Sequence, residues 1–140
     1  MKIAVCIKQV PGTTEIKVDP ETNTLIRQGI ENIINPFDTY AIEEAVKLKE
    51  RLDLDEDFAE EVEVIAITMG PPQAEEILRE AISVGVDSAI LLSDRAFAGA
   101  DTWATAAALS MALEKLGDVG LAIFGKQTLD GDTGQVGPEL

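Results

Sequence analysis

Four apolar runs rich in Ile, Val, Leu and Ala recur at residues 2–8, 62–68, 88–92 and 119–124, each separated from the next by enough chain for a helix. This alternation constrains the fold more than any other feature of the sequence. Parallel strands need a crossover of a dozen or more residues, usually a helix. Alternating strands and helices therefore predict an α/β class, with a mostly parallel sheet flanked by helices. Strands covered on both faces read as continuous apolar runs, as these do. Aromatic residues make up only 4% of the chain, so the core has to be aliphatic. A length of 140 residues corresponds to one domain.

The intervening segments carry helix punctuation. Pro36 follows Asn35 and suits the first helical position. Asp38 stands three residues after Asn35, a capping-box arrangement with Asp in the usual Glu place. Ala41, Ile42, Ala45, Val46 and Lys49 keep helical spacing. Residues 53–61 read as an acidic surface loop. Gly70-Pro71-Pro72 ends the second strand and opens a helix with Ile77, Leu78, Ala81 and Ile82 on one face and Gly85 at its stop. Asp101 suits the cap of a third helix, whose Trp103-bearing face reads as packing and which stops at Gly117. Residues 14–18 and 24–27 read as two extended runs of a small hairpin insertion.

Composition excludes several functions. Twenty-six acidic residues against 11 basic give a net charge of −15, which argues against nucleic acid or an anionic membrane as partner. No run is long enough to span a membrane, and the N-terminus lacks the regions of a signal peptide, so the expectation is a cytoplasmic protein. The absence of histidine removes the commonest general base and metal ligand. No catalytic residue and no metal set is predicted, and any redox chemistry has to come from a bound cofactor. The lone cysteine, Cys6, lies between Val5 and Ile7 and reads as a buried strand residue.

The last strand runs into Gly125-Lys126-Gln127-Thr128-Leu129-Asp130-Gly131-Asp132-Thr133-Gly134-Gln135-Val136-Gly137-Pro138. Small residues and hydroxyls gather where a strand hands over to a helix, a place where main-chain N–H groups can hold a phosphate. From spacing alone the run is equally a Gly-rich turn with an Asp or Thr cap. It is neither a P-loop nor a G-x-G-x-x-G fingerprint. Ligands of open α/β sheets bind beyond the C-terminal strand ends, where strand order reverses. Lys8-Gln9, Met69-Gly70-Pro71 and residues 125–133 all follow strands, and they converge if the first strand is central.

Five motifs in order resemble the electron-transfer flavoprotein beta subunit: residues 2–10, Asn35-Pro36-Phe37-Asp38 with the helix after it, residues 65–71, residues 81–87 and the terminal run. The resemblance covers nearly the whole chain. It implies a nucleotide-binding α/β domain over residues 1–140, a three-layer sandwich of the kind shared with universal stress proteins. In its pocket Cys6 and Lys8 stand at the first strand, Asn35, Pro36, Phe37 and Asp38 form one wall, and Met69 forms part of another. Gly125, Lys126, Gln127, Thr128, Asp130, Gly131, Asp132, Thr133 and Gln135 hold the ribose and phosphates. Residues 131–138 are similar to the family variant that holds FAD and splits electrons from NADH between two acceptors, so FAD is favoured over AMP. Thr128 departs from the usual Ala. The implied role is an electron-carrier subunit, passing electrons between NADH or a dehydrogenase and later acceptors together with an alpha subunit. Members of the family continue beyond the terminal motif, so the domain is expected to be truncated relative to them at its C-terminal end. The alternative reading is a universal-stress-protein-like module that binds ATP or AMP without redox work.

Overall fold

A computed structural model describes residues 1–12, 18–23 and 31–140. Strands β1 (Lys2–Cys6), β4 (Glu63–Met69), β5 (Ser88–Leu92) and β6 (Val119–Phe124) form one sheet in the order β5-β4-β1-β6. All three pairings are parallel. The chain steps from β1 outward to β4 and β5, then returns past β1 to lay down β6 on its other side. Strand order thus reverses at β1, which is internal to the sheet as the convergence of the loops requires. β1 and β6 slip register between Lys2 and Ile3, where Gly120 is the extra residue on β6. β2 (Gln9–Pro11) and β3 (Asn32–Ile34) pair antiparallel as a separate ribbon. The predicted hairpin runs lie almost wholly outside the described residues.

Helices cover both faces of the sheet. Ile3, Val5 and Ile7 alternate with Ala4 and Cys6 along the first strand, and the two sets enter different cores. The first set, with Val64 and Ala66, packs on Ala41, Ile42 and Ala45 of α1 (Pro36–Asp53) and on Ile77, Leu78 and Ala81 of α2 (Glu75–Ser83). The second set, with Ile65 and Ile67, packs on Leu109 of α3 (Thr102–Leu116) and on Val136 of the short α4 (Val136–Glu139). The result is the expected three-layer α/β sandwich with an aliphatic core.

Most helix stops fall where the sequence places them. Gly117 follows α3 directly. Gly85, just past α2, takes φ +118°, and a Cβ there would come within 3.1 Å of Val46 on α1. Asp101 caps α3 by accepting from the Ala104 amide at 2.8 Å. Two details differ from expectation. Trp103 is not packed: it is 70% exposed, and α3 buries Ala106 and Leu109 instead. Ile82 is likewise exposed beside the buried face of α2. An Ala-rich helix such as α3 has several faces apolar enough to bury, and sequence spacing alone does not choose among them. No helix among the described residues is long and apolar enough to cross a membrane.

Candidate functional site

The C-terminal ends of β1, β4 and β6 meet around a cavity of about 560 Å³. Cys6, Lys8 and Asp38 line one side, and Met69 stands at the end of β4. The terminal loop contributes Gly125, Lys126, Gln127, Thr128, Gly131, Thr133 and Gln135. Five residues of the expected pocket do not line it: Asn35, Pro36, Phe37, Asp130 and Asp132. At least three of these brace the wall from behind.

Asn35 is one such brace, and it is wholly buried. Although it precedes α1, its side chain makes no capping bond to that helix. Its Nδ2 instead donates to the Gln127 carbonyl at 2.8 Å, and its Oδ1 accepts from the Leu129 amide at 3.1 Å. Its own backbone amide donates to the Lys8 carbonyl at 2.8 Å. One residue therefore ties the terminal loop, through its side chain, and the end of β1, through its backbone, to the start of α1. Asp132 accepts from the Gln127 side chain and holds the same loop further along.

Asp38 does not complete a capping box. Its carboxylate reaches to the end of β1 and accepts from the Lys8 amide at 2.8 Å. It also accepts from the amide of Gly125, which passes so close that a Cβ there would stand 2.1 Å from Oδ1. Burial pushes the Asp38 carboxyl up from its ordinary 3.8 to about 6, against the pull of the Lys8 and Gly125 amides and the Asn35 side chain. Burial, helped by the Asp38 charge, also pushes the Cys6 thiol up to about 12. Cys6 is therefore an inert wall residue, because the reactive form of cysteine is the thiolate.

The raised carboxyl has a signed consequence for stability. Between pH 3.8 and about 6 the folded state holds a proton on Asp38 that the unfolded chain has lost. Stability from this group is thus complete below the lower value and is lost as pH rises through the upper one. Two units correspond to about 3 kcal/mol. Relative to Asp38→Asn, the wild type is expected to lose that amount between about pH 4 and pH 7. Urea denaturation across this range checks it, and a constant difference between the two proteins contradicts it.

Lys8 Nζ donates to both carboxylate oxygens of Asp130 at 2.9 Å. Burial opposes ionisation of Asp130, yet Lys8, the Thr128 hydroxyl and the Gly131 amide hold its carboxyl below the ordinary range. Lys126, by contrast, lines the cavity and has no ion-pair partner among the described residues.

A second wall was not anticipated. The loop after β5 and the start of α3 supply Phe97, Gly99, Ala100, Asp101, Thr102 and Thr105, over a floor of Leu109, Phe124 and Val136. The rule that strand ends gather ligands applies to β5 as much as to its neighbours. Following β5 with that rule would have found this loop. The volume falls among small-molecule sites, which span roughly 300–1,000 Å³ and combine apolar surface with a few placed polar groups. An apolar floor suits a base or ring. Threonine hydroxyls, loop amides and an unpaired ammonium suit a ribose and phosphate. The residues present fit an adenine-nucleotide ligand.

Comparison with known proteins identifies the family. The electron transfer flavoprotein domain matches residues 22–140. The caffeyl-CoA reductase-Etf complex subunit CarD of Acetobacterium woodii is 52% identical over 140 residues, all of this chain and 51% of its own length. The electron transfer flavoprotein subunit beta of Thermoanaerobacterium thermosaccharolyticum is also 52% identical over all of this chain and 50% of its own. Protein FixA of Sinorhizobium fredii is 51% identical over all of this chain and 48% of its own. The chain spans about half the length of these curated relatives.

Proposed function

The chain belongs to the electron transfer flavoprotein family, and on that premise we propose that it is the nucleotide-holding domain of a beta subunit, spanning residues 1–140. It would work with an alpha subunit in passing electrons from NADH or a dehydrogenase to later acceptors. The observation that carries the reading is Lys126. In a chain of net charge −15 it is an unpaired ammonium on a cavity wall, beside the Thr128 and Thr133 hydroxyls. An acidic surface repels a phosphate at long range, so local donors have to supply the attraction.

Within that reading the bound group is FAD in preference to AMP, because residues 131–138 follow the FAD-holding variant of the terminal motif. Bound flavin would supply the redox chemistry, since the chain has no proton-transfer or nucleophilic group suited to it. The protein's own part is to bind and orient. Lys126 and the loop hydroxyls take the phosphates. Met69, Leu109 and Phe124 keep water from the ring. Asn35 and Asp38 fix the loop that does the gripping. The universal-stress-protein reading gains no support from the comparisons.

Co-purification with the alpha subunit, followed by denaturation and chromatography of what is released, tests the proposal. One adenine nucleotide per beta chain is expected beyond that of the partner, with FAD in the larger share. Lys126→Ala is expected to weaken its retention roughly tenfold, the scale of one charge-assisted hydrogen bond. A complex that releases no nucleotide from the beta chain contradicts the assignment. Binding of ATP with no affinity for flavin favours the regulatory module instead.

A further inference from the structure

Asp38 is 5% exposed, lines the cavity, and forms no salt bridge among the described residues. The nearest ammonium, that of Lys8, is taken by Asp130. What Asp38 does receive are two backbone amides, one from Lys8 at the end of β1 and one from Gly125 at the end of β6, with the Asn35 side chain and, more weakly, the Lys8 charge also favouring its ionised form. A carboxylate buried with amides but without an ion-pair partner is a costly charge, and a neighbouring anion makes it costlier still. The chain already carries a net charge of −15.

We propose that Asp38 takes up one proton from solvent when a phosphate-bearing nucleotide enters the cavity, so that nucleotide binding tightens as the pH falls. This rests on the nucleotide reading above. The proton adds to a carboxylate oxygen; no other bond forms or breaks. The carboxyl keeps an acceptor for the backbone amides and gains an O–H on the cavity wall. Other groups around it do not account for such uptake. From the first strand, burial holds the Cys6 thiol protonated near neutrality, and just beyond it Lys8 is engaged by Asp130. From the terminal loop, Asp130 is held ionised by Lys8. From α1, Asn35 does not titrate.

Isothermal titration of the purified protein with FAD tests this, because the pyrophosphate stays fully ionised near neutral pH. Running the titration in buffers of different ionisation enthalpy counts the protons directly. Uptake of part of a proton is expected, largest near pH 6.5, with affinity roughly fivefold tighter at about pH 6 than at about pH 8 for a one-unit rise of the Asp38 carboxyl on binding. Asp38→Asn is expected to abolish both effects. If that variant does not fold, infrared difference spectra of the wild type still decide the matter, through the gain of a protonated-carboxyl band on FAD addition. FAD binding with no proton uptake and no such band overturns the inference and leaves the nucleotide reading standing. Failure of FAD, AMP and ATP to bind overturns both.

Discussion

Gly125→Ala is expected to destabilise the protein by about 3 kcal/mol or more and to abolish nucleotide binding, the costly end of overpacking. At this position β6 ends against the first turn of α1. A Cβ would stand 2.1 Å from Asp38 Oδ1, and 2.9 Å from both the Asp38 amide nitrogen and the Phe37 carbonyl carbon. Two of those atoms are backbone, so no side-chain rotation relieves the contact. The sheet and the helix would have to part, and with them the amide of Gly125 that Asp38 accepts. Gly120→Ala is the control. Its Cβ would meet only the Sδ and Cγ of Met1, the far end of a flexible side chain, at 2.5 and 2.6 Å. That variant is expected to lose about 1 kcal/mol or less. Denaturant melts of the two proteins give the comparison, and equal losses would show that the α1–β6 contact yields easily.

Asn35→Asp is the second severe change. The side chain is buried, with its amide donating to the Gln127 carbonyl and its oxygen accepting from the Leu129 amide. An aspartate keeps the shape and the acceptor but sets oxygen against the Gln127 carbonyl. It also adds a buried carboxylate near Asp38. The expected loss is about 3–5 kcal/mol at neutral pH, the scale of an uncompensated buried charge. Asn35→Ala leaves a carbonyl and an amide unpaired and is expected to cost about 2–4 kcal/mol. Because an aspartate can protonate, the first variant should recover stability on acidification and the second should not. Chemical denaturation near pH 5 and pH 7.5 checks this. Retention of wild-type stability by Asn35→Asp at neutral pH would mean that the terminal loop is held by something else.

The strands were legible because each is an aliphatic run, buried on both faces in β1 and β4 and partly exposed in β5 and β6, and Gly85 and Gly117 marked the helix stops by local chemistry. The ribbon strand β3 was not legible. Three residues of strand owe their form to the partner they pair with, not to any pattern of their own. Around Asn35 local spacing offers a capping box, and the family resemblance places it in the pocket wall. Its reach to residues 127–129 is tertiary and leaves no trace in spacing. Asp38 was read within a local box for the same reason. The terminal loop could be located from its composition, but its opposite wall, Phe97 to Thr105, carries no comparable signature. Small residues between a strand and a helix are too common to stand out. Trp103 showed the limit of helical spacing in a helix apolar all round.

The cavity is closed by bonds between distant parts of the chain: Lys8 and Asp130 lie 122 positions apart, and Asn35 and Leu129 lie 94 apart. During synthesis β1 leaves the ribosome first but cannot be flanked on both edges until β6 has followed it. For that interval an aliphatic strand has an open side, the condition that invites mispairing and calls for chaperones. Such long loops also make for slow folding. A pocket stitched in this way is finished only when β6 docks, so on the proposed reading capture of a nucleotide reports that this step has occurred and cannot guide the earlier ones.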